Sequence, residues 1–344
     1  MKSFLRSTSK LLVGAAFTLA CTSAFAWVLP SGPCTGNNCL QYTDFSVYSL
    51  ALINLQGGGS GSPTNGEPGY IAASPGQIAN YTVVGLNSNN APAQDNGTTI
   101  DSAFNTPSGG TSTFTTLTSD TANGPLVGDG NSWQATISTL NAAYLNSQFV
   151  AFFAFAENGS SSPPQPLLGT DLLVWAKISV IDLQNPGATQ SFYLQPNGSV
   201  LNNDPLASAL PPDTTLTDAG PWVYVHSKMC VANGDTFAGF PDASGNCPAG
   251  TTIQNTNTGQ NNASFAIYNA ALDAIIHDSN TPYDILQVDW EMAYVNGDGE
   301  TAWFQPFSVE RNVPEPSTIL LTALALLGLW QVQRRQALKR CKIK

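Results

Sequence analysis

Seven Asn-Gly dipeptides punctuate the chain, at positions 65, 96, 123, 158, 197, 233 and 296. Both residues tolerate positive φ, so each pair favours a tight reversal of the backbone. A chain reversed this often has little room for long helices, and the segments between the reversals carry strand chemistry. Phe45 to Leu50 alternates apolar and polar residues, and Tyr81 to Val84 and Phe114 to Leu117 do so in part. Leu172 to Leu183 sets Val174, Ala176, Ile178 and Val180 against Trp175, Lys177 and Ser179. Phe149 to Ala156 is apolar on both faces, as a strand covered from both sides requires. Further strands are expected over 190–194, 222–226, 285–295 and 301–309. Helical spacing occurs twice, over 133–145 (Ile137, Leu140, Tyr144, Leu145) and 263–277 (Ile267, Ala270, Ala271, Ala274, Ile275). No 20–50-residue repeat aligns, and no strand–helix–strand rhythm appears. The pattern predicts a mainly β protein, an antiparallel β-sandwich of jelly-roll-like type with two short helices. Gly159 to Pro166 is the best candidate boundary inside it, but the apolar strands on either side suit one core. The body is read as one domain.

Charge separates this body from its ends. Of 12 basic side chains, Lys2, Arg6 and Lys10 lie in the first ten residues, and six more lie from Arg334 onward. Only Lys177, Lys228 and Arg311 remain for residues 27–312, against all of the 23 acidic residues but Glu315, a formal charge of −19. Such a surface repels phosphate backbones, so no nucleic-acid partner is expected. Residues 1–26 have the form of a secretory signal peptide. Basic residues precede the apolar run Leu11 to Ala20, and Ala24-Phe25-Ala26 supplies the small-x-small cleavage pattern, leaving Trp27 as the new N-terminus. A lipoprotein reading through Cys21 fits poorly, because Leu19 stands where a small residue is needed.

At the other end, Val313-Pro314-Glu315-Pro316 precedes the apolar run Ile319 to Trp330, and Arg334-Arg335 opens a basic tail. The run is shorter than the roughly 17–25 residues of a standard spanning helix. A bilayer can still hold it by thinning locally, with the cationic tail on the cytoplasmic side. Pro-Glu-Pro, a short hydrophobic helix and an arginine-rich end, in that order, resemble the PEP-CTERM sorting signal of Gram-negative bacteria. The resemblance covers residues 313 to about 340. Gln331-Val332-Gln333 and Cys341 are mild departures from it. It implies processing near Pro314, Glu315 and Pro316 by exosortase, a membrane-embedded transpeptidase-like enzyme. The chain would be anchored transiently in the inner membrane and then delivered to the cell surface or an exopolysaccharide matrix. A permanent anchor is the plain alternative. The chain thus divides into a signal peptide (1–26), a secreted body (27–312) and a sorting signal (313–344).

Four cysteines, Cys34, Cys39, Cys230 and Cys247, remain in the body once both ends are set aside. In a secreted chain they suggest two disulfides. Three connectivities exist, and short loops favour the local pairs Cys34–Cys39 and Cys230–Cys247. Zinc is disfavoured, since the chain lacks a second close cysteine pair and has only His226 and His277.

Asp289-Trp290-Glu291 is the most pointed motif. On a strand the two carboxylates share a face, with Trp290 on the other, and such pairs beside aromatics suit glycoside hydrolysis. A solvated strand face is the simpler reading, because glycosidases take their acids from different elements. Gly128 to Asn131 and Asn296 to Glu300 resemble fragments of calcium loops without completing one. No metal ligand or cofactor is therefore assigned, although a structural calcium ion suits a body so rich in oxygen ligands. No G-x-S-x-G elbow occurs, and His226 in a strand and His277 at a helix end have ordinary structural roles. The tryptophans either fill the core or, exposed, stack on sugars. The chain is expected to be a noncatalytic surface or matrix protein, with exosortase and the secretion machinery as partners and exopolysaccharide as a further one. A carbohydrate-binding module or a secreted glycan-active enzyme is the alternative.

Overall fold

A computed structural model describes residues 29, 34, 39–74, 82–86, 99–107, 112–116, 132–145, 147–157, 170–196, 222–242, 244–259, 261–295 and 300–307. Ala24, Ala26 and Trp27 at the expected cleavage site, and Pro314, Glu315, Pro316, Arg334 and Arg335 of the expected sorting signal, lie outside the described residues. So do the Asn-Gly pairs at 96, 123, 158, 197 and 296.

The protein is mainly β, and nearly all of its strand pairs are antiparallel. Numbered in chain order, a seven-stranded sheet runs β1 (Cys39–Gln41), β2 (Ser46–Ser49), β14 (Phe265–Tyr268), β7 (Gln148–Ala154), β16 (Thr301–Phe307), β3 (Thr82–Leu86) and β4 (Phe104–Asn105). Only its last pair, β3 with β4, is parallel. A six-stranded sheet runs β10 (Val223–Val225), β8 (Leu172–Ile181), β15 (Ile285–Val295) and β5 (Ser112–Thr115). In it β6 (Trp133–Thr136) also pairs with β15, and β9 (Gln190–Leu194) with β8. A small sheet joins β12 (Thr236–Gly239), β11 (Lys228–Ala232) and β13 (Thr251–Asn255).

Alternation along the strands decides where the core lies. β15 turns Leu286, Val288, Trp290 and Met292 to one face, and β8 turns Val174, Ile178 and Val180 with them. They meet Val84, Phe149, Phe153 and Phe304 of the large sheet in one apolar cluster. The opposite face of the large sheet builds a second cluster from Tyr48, Phe152, Ala266 and Trp303. β7 is therefore buried on both faces, which its uninterrupted apolar sequence requires. The first cluster spans both sides of residues 159–166, since β7 precedes that segment and β8 follows it.

Three helices are present among the described residues, one more than expected: α1 (Leu50–Gln56), α2 (Ile137–Tyr144) and α3 (Ala270–His277). Each follows a strand with no intervening loop, and the junction residue is a side-chain cap. Ser49 Oγ accepts from the Leu52 N–H at 3.4 Å, Thr136 Oγ1 from Thr139 at 3.4 Å, and Asn269 Oδ1 from Leu272 at 2.8 Å. Asn269 Nδ2 also donates to the Asp44 carbonyl at 2.6 Å. These junctions correct the boundaries read from spacing. Residues 133–136 and 265–268 are strands, and the strand beginning at Ser46 stops at Ser49 instead of running to Leu50. Apolar residues at the end of a strand fell by chance into helical register with those of the next helix, so period alone merged them. Leu145, counted on the apolar face of α2, is 63% exposed. Caps contribute about 1 kcal/mol each, and burial of Ile137, Leu140, Leu272 or Ile276 contributes more, about 1.5–3 kcal/mol apiece.

Both Asn-Gly pairs among the described residues lie in turns. Gly66 has φ +92°, and Gly234 has φ +84° where β11 reverses into β12. The cysteines form the local disulfides Cys34–Cys39 and Cys230–Cys247, with Cα separations of 5.8 and 5.6 Å. Two disulfides fit an oxidising, extracellular setting. No helix among the described residues is long and apolar enough to cross a membrane.

His277 ties α3 to α2. Its Nδ1 lies 2.7 Å from the Asp273 carbonyl oxygen and its Nε2 2.9 Å from that of Tyr144. Both partners are acceptors, so the ring satisfies both only when doubly protonated. Burial pulls its pKa down, but these two carbonyls and the Asp273 carboxylate outweigh burial and hold it above its ordinary value. With a folded pKa above the unfolded one, the stabilisation is complete below about pH 6.5 and is lost as pH rises through the folded value. A His277→Gln variant should therefore lose stability relative to wild type at pH 5.5 and much less at pH 8.5. Thermal melts of both proteins at the two pH values check this.

Candidate functional site

A cavity of about 140 Å³ lies between the two large sheets. Its walls come from strand residues whose alternation points them inward: Ala151 of β7, Ala176 of β8, Val223 of β10, Ile267 of β14, Val288 of β15 and Ala302 of β16. At one end the small sheet closes over it with Met229, Phe237 and Phe240. The Cys230–Cys247 disulfide encloses the segment that carries both phenylalanines. Phe237 and Phe240 pack edge to face with ring centroids 5.1 Å apart.

His226 lines the same end and is buried. Its ring stacks on Phe240 at 4.0 Å, and its Nδ1 lies 3.2 Å from Asp171 Oδ2. Asp171 Oδ1 accepts from both the backbone N–H and the hydroxyl of Ser227, each at 2.9 Å. Thr170 Oγ1 lies 2.5 Å from that same Ser227 hydroxyl. Ser, His and Asp are thus together, yet in an order unlike a nucleophilic triad, where histidine stands between serine and aspartate and takes the serine proton. Here aspartate stands between them, and the Ser227 hydroxyl is bonded to a carboxylate. The group ties Thr170 and Asp171, just before β8, to His226 and Ser227, just before β11. Sequence reasoning found His226 but not Asp171 or Ser227, because no local motif links residues 55 and 56 positions apart.

The Asp289-Trp290-Glu291 motif has the facing expected of a strand. Trp290 points into the core between the sheets, and both carboxylates point away from it. The face they occupy is not solvated, which corrects the simpler reading: Asp289 and Glu291 are both buried. Asp289 Oδ1 accepts from Ser132 Oγ at 2.5 Å, and Oδ2 lies 3.9 Å from Lys177 Nζ on the neighbouring strand. Glu291 sits between its cross-strand partners Trp175 and Thr115, with Thr115 Oγ1 donating to Oε1 at 3.3 Å. The buried Ser132 bond matters more than the ion pair, whose lysine is one-third exposed and screened by water. Asp289→Ala should accordingly cost about 1–3 kcal/mol, and Lys177→Ala less than about 1 kcal/mol, by urea unfolding midpoints.

A second carboxyl pair had no sequence signal. Glu157 follows the end of β7 and Glu300 precedes β16, and the β7–β16 ladder brings these strand ends together. Both residues are buried. Burial, and after it the neighbouring Glu157 carboxyl, holds Glu300 well above the ordinary carboxylate range. No well-formed hydrogen bond from a donor reaches either Glu300 carboxyl oxygen. The pair is satisfied when one carboxyl keeps its proton and donates it to the other. A raised folded pKa means the native state holds a proton that the unfolded chain releases above about pH 4.5, so this pair's contribution to stability falls as pH rises. Glu300→Gln, which donates permanently from an amide, should raise the melting temperature near pH 7.5 and leave it nearly unchanged near pH 4. Melts across that range check both the sign and the window.

The remaining candidates separate cleanly. Trp133, Trp175, Trp222, Trp290 and Trp303 are all buried, so none presents a ring face for sugar stacking. Trp27 lies outside the described residues, as do the calcium-like loops Gly128 to Asn131 and Asn296 to Gly299. Among the described residues no group of three or more His, Cys, Asp and Glu side chains is placed to hold a metal ion.

A disulfide-stapled body of two facing sheets with an apolar space between them is thus the class of protein in hand. The chain belongs to the family described as Domain of unknown function (DUF8239), which it matches over residues 28–291. No curated protein and no solved structure matches it.

Proposed function

We propose that the chain is an exported, noncatalytic protein of the cell surface or exopolysaccharide matrix, processed by exosortase after transient anchoring in the inner membrane of a Gram-negative cell. The observation that carries this reading is the ordered set Pro314-Glu315-Pro316, apolar Ile319 to Trp330, and Arg334-Arg335, in a chain that begins with a signal-peptide pattern ending at Ala26. The disulfides Cys34–Cys39 and Cys230–Cys247 support export, since such bonds persist outside the cytoplasm. The family match starts at residue 28, just past the proposed cleavage before Trp27. We read the two facing sheets as a β-sandwich related to jelly rolls, serving as the displayed scaffold.

Two observations support a noncatalytic role over the glycan-directed alternatives. Asp289 and Glu291, the carboxylates best suited by sequence to glycoside chemistry, are buried against Ser132, Lys177 and Thr115. The five described tryptophans are core residues and offer no stacking platform. Contact with matrix polysaccharide would instead run through the acidic, amide-rich surface, with divalent cations bridging carboxylates.

Intact mass and cell fraction of the native protein, in hosts with and without exosortase, test this reading. The expected product starts at Trp27, ends near Pro314 to Pro316, and leaves the membrane only where exosortase is present. A full C-terminus retained in the membrane of both hosts would replace sorting with a permanent anchor.

A further inference from the structure

We infer that the space between the two sheets is a binding site for a small uncharged hydrocarbon group, a single ring or a short alkyl chain. This inference does not depend on the sorting reading above. Val84, Phe149, Phe153 and Phe304 fill part of the layer between the sheets, but a neighbouring patch of the same inner face is less buried than the outer face behind it. Val47, Ala151, Phe265, Ile267 and Ala302 face the partner sheet, where the driest positions belong, and all are only half-buried. Tyr48, Phe152, Ala266 and Trp303, on the other face of the same strands, are buried. Facing sheets normally interdigitate and exclude water from the layer between them. Here apolar side chains keep accessible surface inside a cavity, and an apolar occupant would remove that surface from water.

Small side chains hollow the walls. Ala151, Ala176 and Ala302 stand directly across the strand ladders from Phe304, Trp290 and Phe153. Each inward position that a Leu or Ile could fill is left short beside an aromatic ring. At about 140 Å³ the partly open space is close in volume to the roughly 150 Å³ apolar cavity that accepts benzene. The chemistry of the lining sets the ligand class. Its polar members are already engaged: Ser49 caps α1, the Thr256 hydroxyl donates to the His226 carbonyl, and the His226 ring meets Asp171. Tyr42 and Tyr224 have partners as well. A sugar or other polar ligand would lose its water and find no replacement hydrogen bonds, whereas a hydrocarbon needs none. Half-buried Phe237 and Phe240, on the disulfide-closed segment, cover the end where an amphiphile's head group would emerge.

The occupant is either a free hydrocarbon or the tail of an amphiphile, and two probes separate these sources. Benzene and octanoate are titrated into the disulfide-intact protein purified from its host, with heat of binding and shift of melting temperature as readouts. Saturable binding of benzene alone identifies a free hydrocarbon site, and binding of octanoate extends it to amphiphile tails. Either should be weakened at least about tenfold by filling the wall with Ala176→Leu. Ala302→Val provides the same test if Ala176→Leu fails to fold, and the exposed Leu145→Ser variant should bind as wild type does. Absence of saturable binding of both probes to folded protein overturns the inference. So does binding that survives both wall-filling substitutions, which would place the ligand elsewhere.

Discussion

The indole of Trp290 is the pillar on which the two sheets rest. It projects from β15 and meets Gly85 of β3 so closely that a Cβ there would lie 2.4 Å from the ring. Phe114 meets it edge to face with centroids 5.1 Å apart, and Phe153 stands perpendicular to it at 6.1 Å. Its strand is fixed in turn by the longest ladder among the described residues, nine residue pairs from Ile285↔Ile181 to Ala293↔Leu173. A rigid ring wedged between two sheets sets their separation, and the alanines around it leave the remaining width unfilled. The cavity follows from that combination of one large side chain and several small ones.

The acidic body places several of its carboxyl groups inside. Asp171, Asp289, Glu291 and Glu300 are buried, and each has a different compensation. Asp171 is held by His226 and Ser227, Asp289 by Ser132, and Glu291 by Thr115. Glu300 lies beside the Glu157 carboxyl, and burial together with that neighbour holds its pKa well above the ordinary carboxylate range. Buried acids are costly unless paired, protonated or hydrogen-bonded. With so few lysines and arginines available, hydroxyl donors do much of what salt bridges do in more ordinary compositions.

Much of the architecture was legible in the order of residues. The strands over 190–194 and 285–295 were located to the residue, because alternation over one polar and one apolar face leaves a clear period. The local disulfides followed from loop length. The errors fall at the three strand–helix junctions, where Ser49, Thr136 and Asn269 cap helices without an intervening loop, and in the small sheet of β11, β12 and β13, where turn-rich composition reads as loop. A cap residue can equally continue a strand, and only the hydrogen bond to the N–H three residues on decides. Asp289-Trp290-Glu291 was conspicuous for sound reasons, since its alternation does direct the tryptophan one way and the acids the other. What lay over the acids was invisible, because Ser132, Lys177 and Thr115 come from distant segments.

Sequence alone determined the class of the protein: mainly β, acidic and cysteine-paired, with its basic residues gathered beside apolar runs at the two ends. These are local properties, set by side-chain period, turn residues and short loops. Tertiary structure alone decided that Asp171 joins His226 to Ser227, that Glu157 meets Glu300, and that the sheets stop short of full contact around Trp290. Each depends on which strands become neighbours across a sheet or between sheets. Pairing of distant strands is governed by the packing of the whole core, which no single segment encodes.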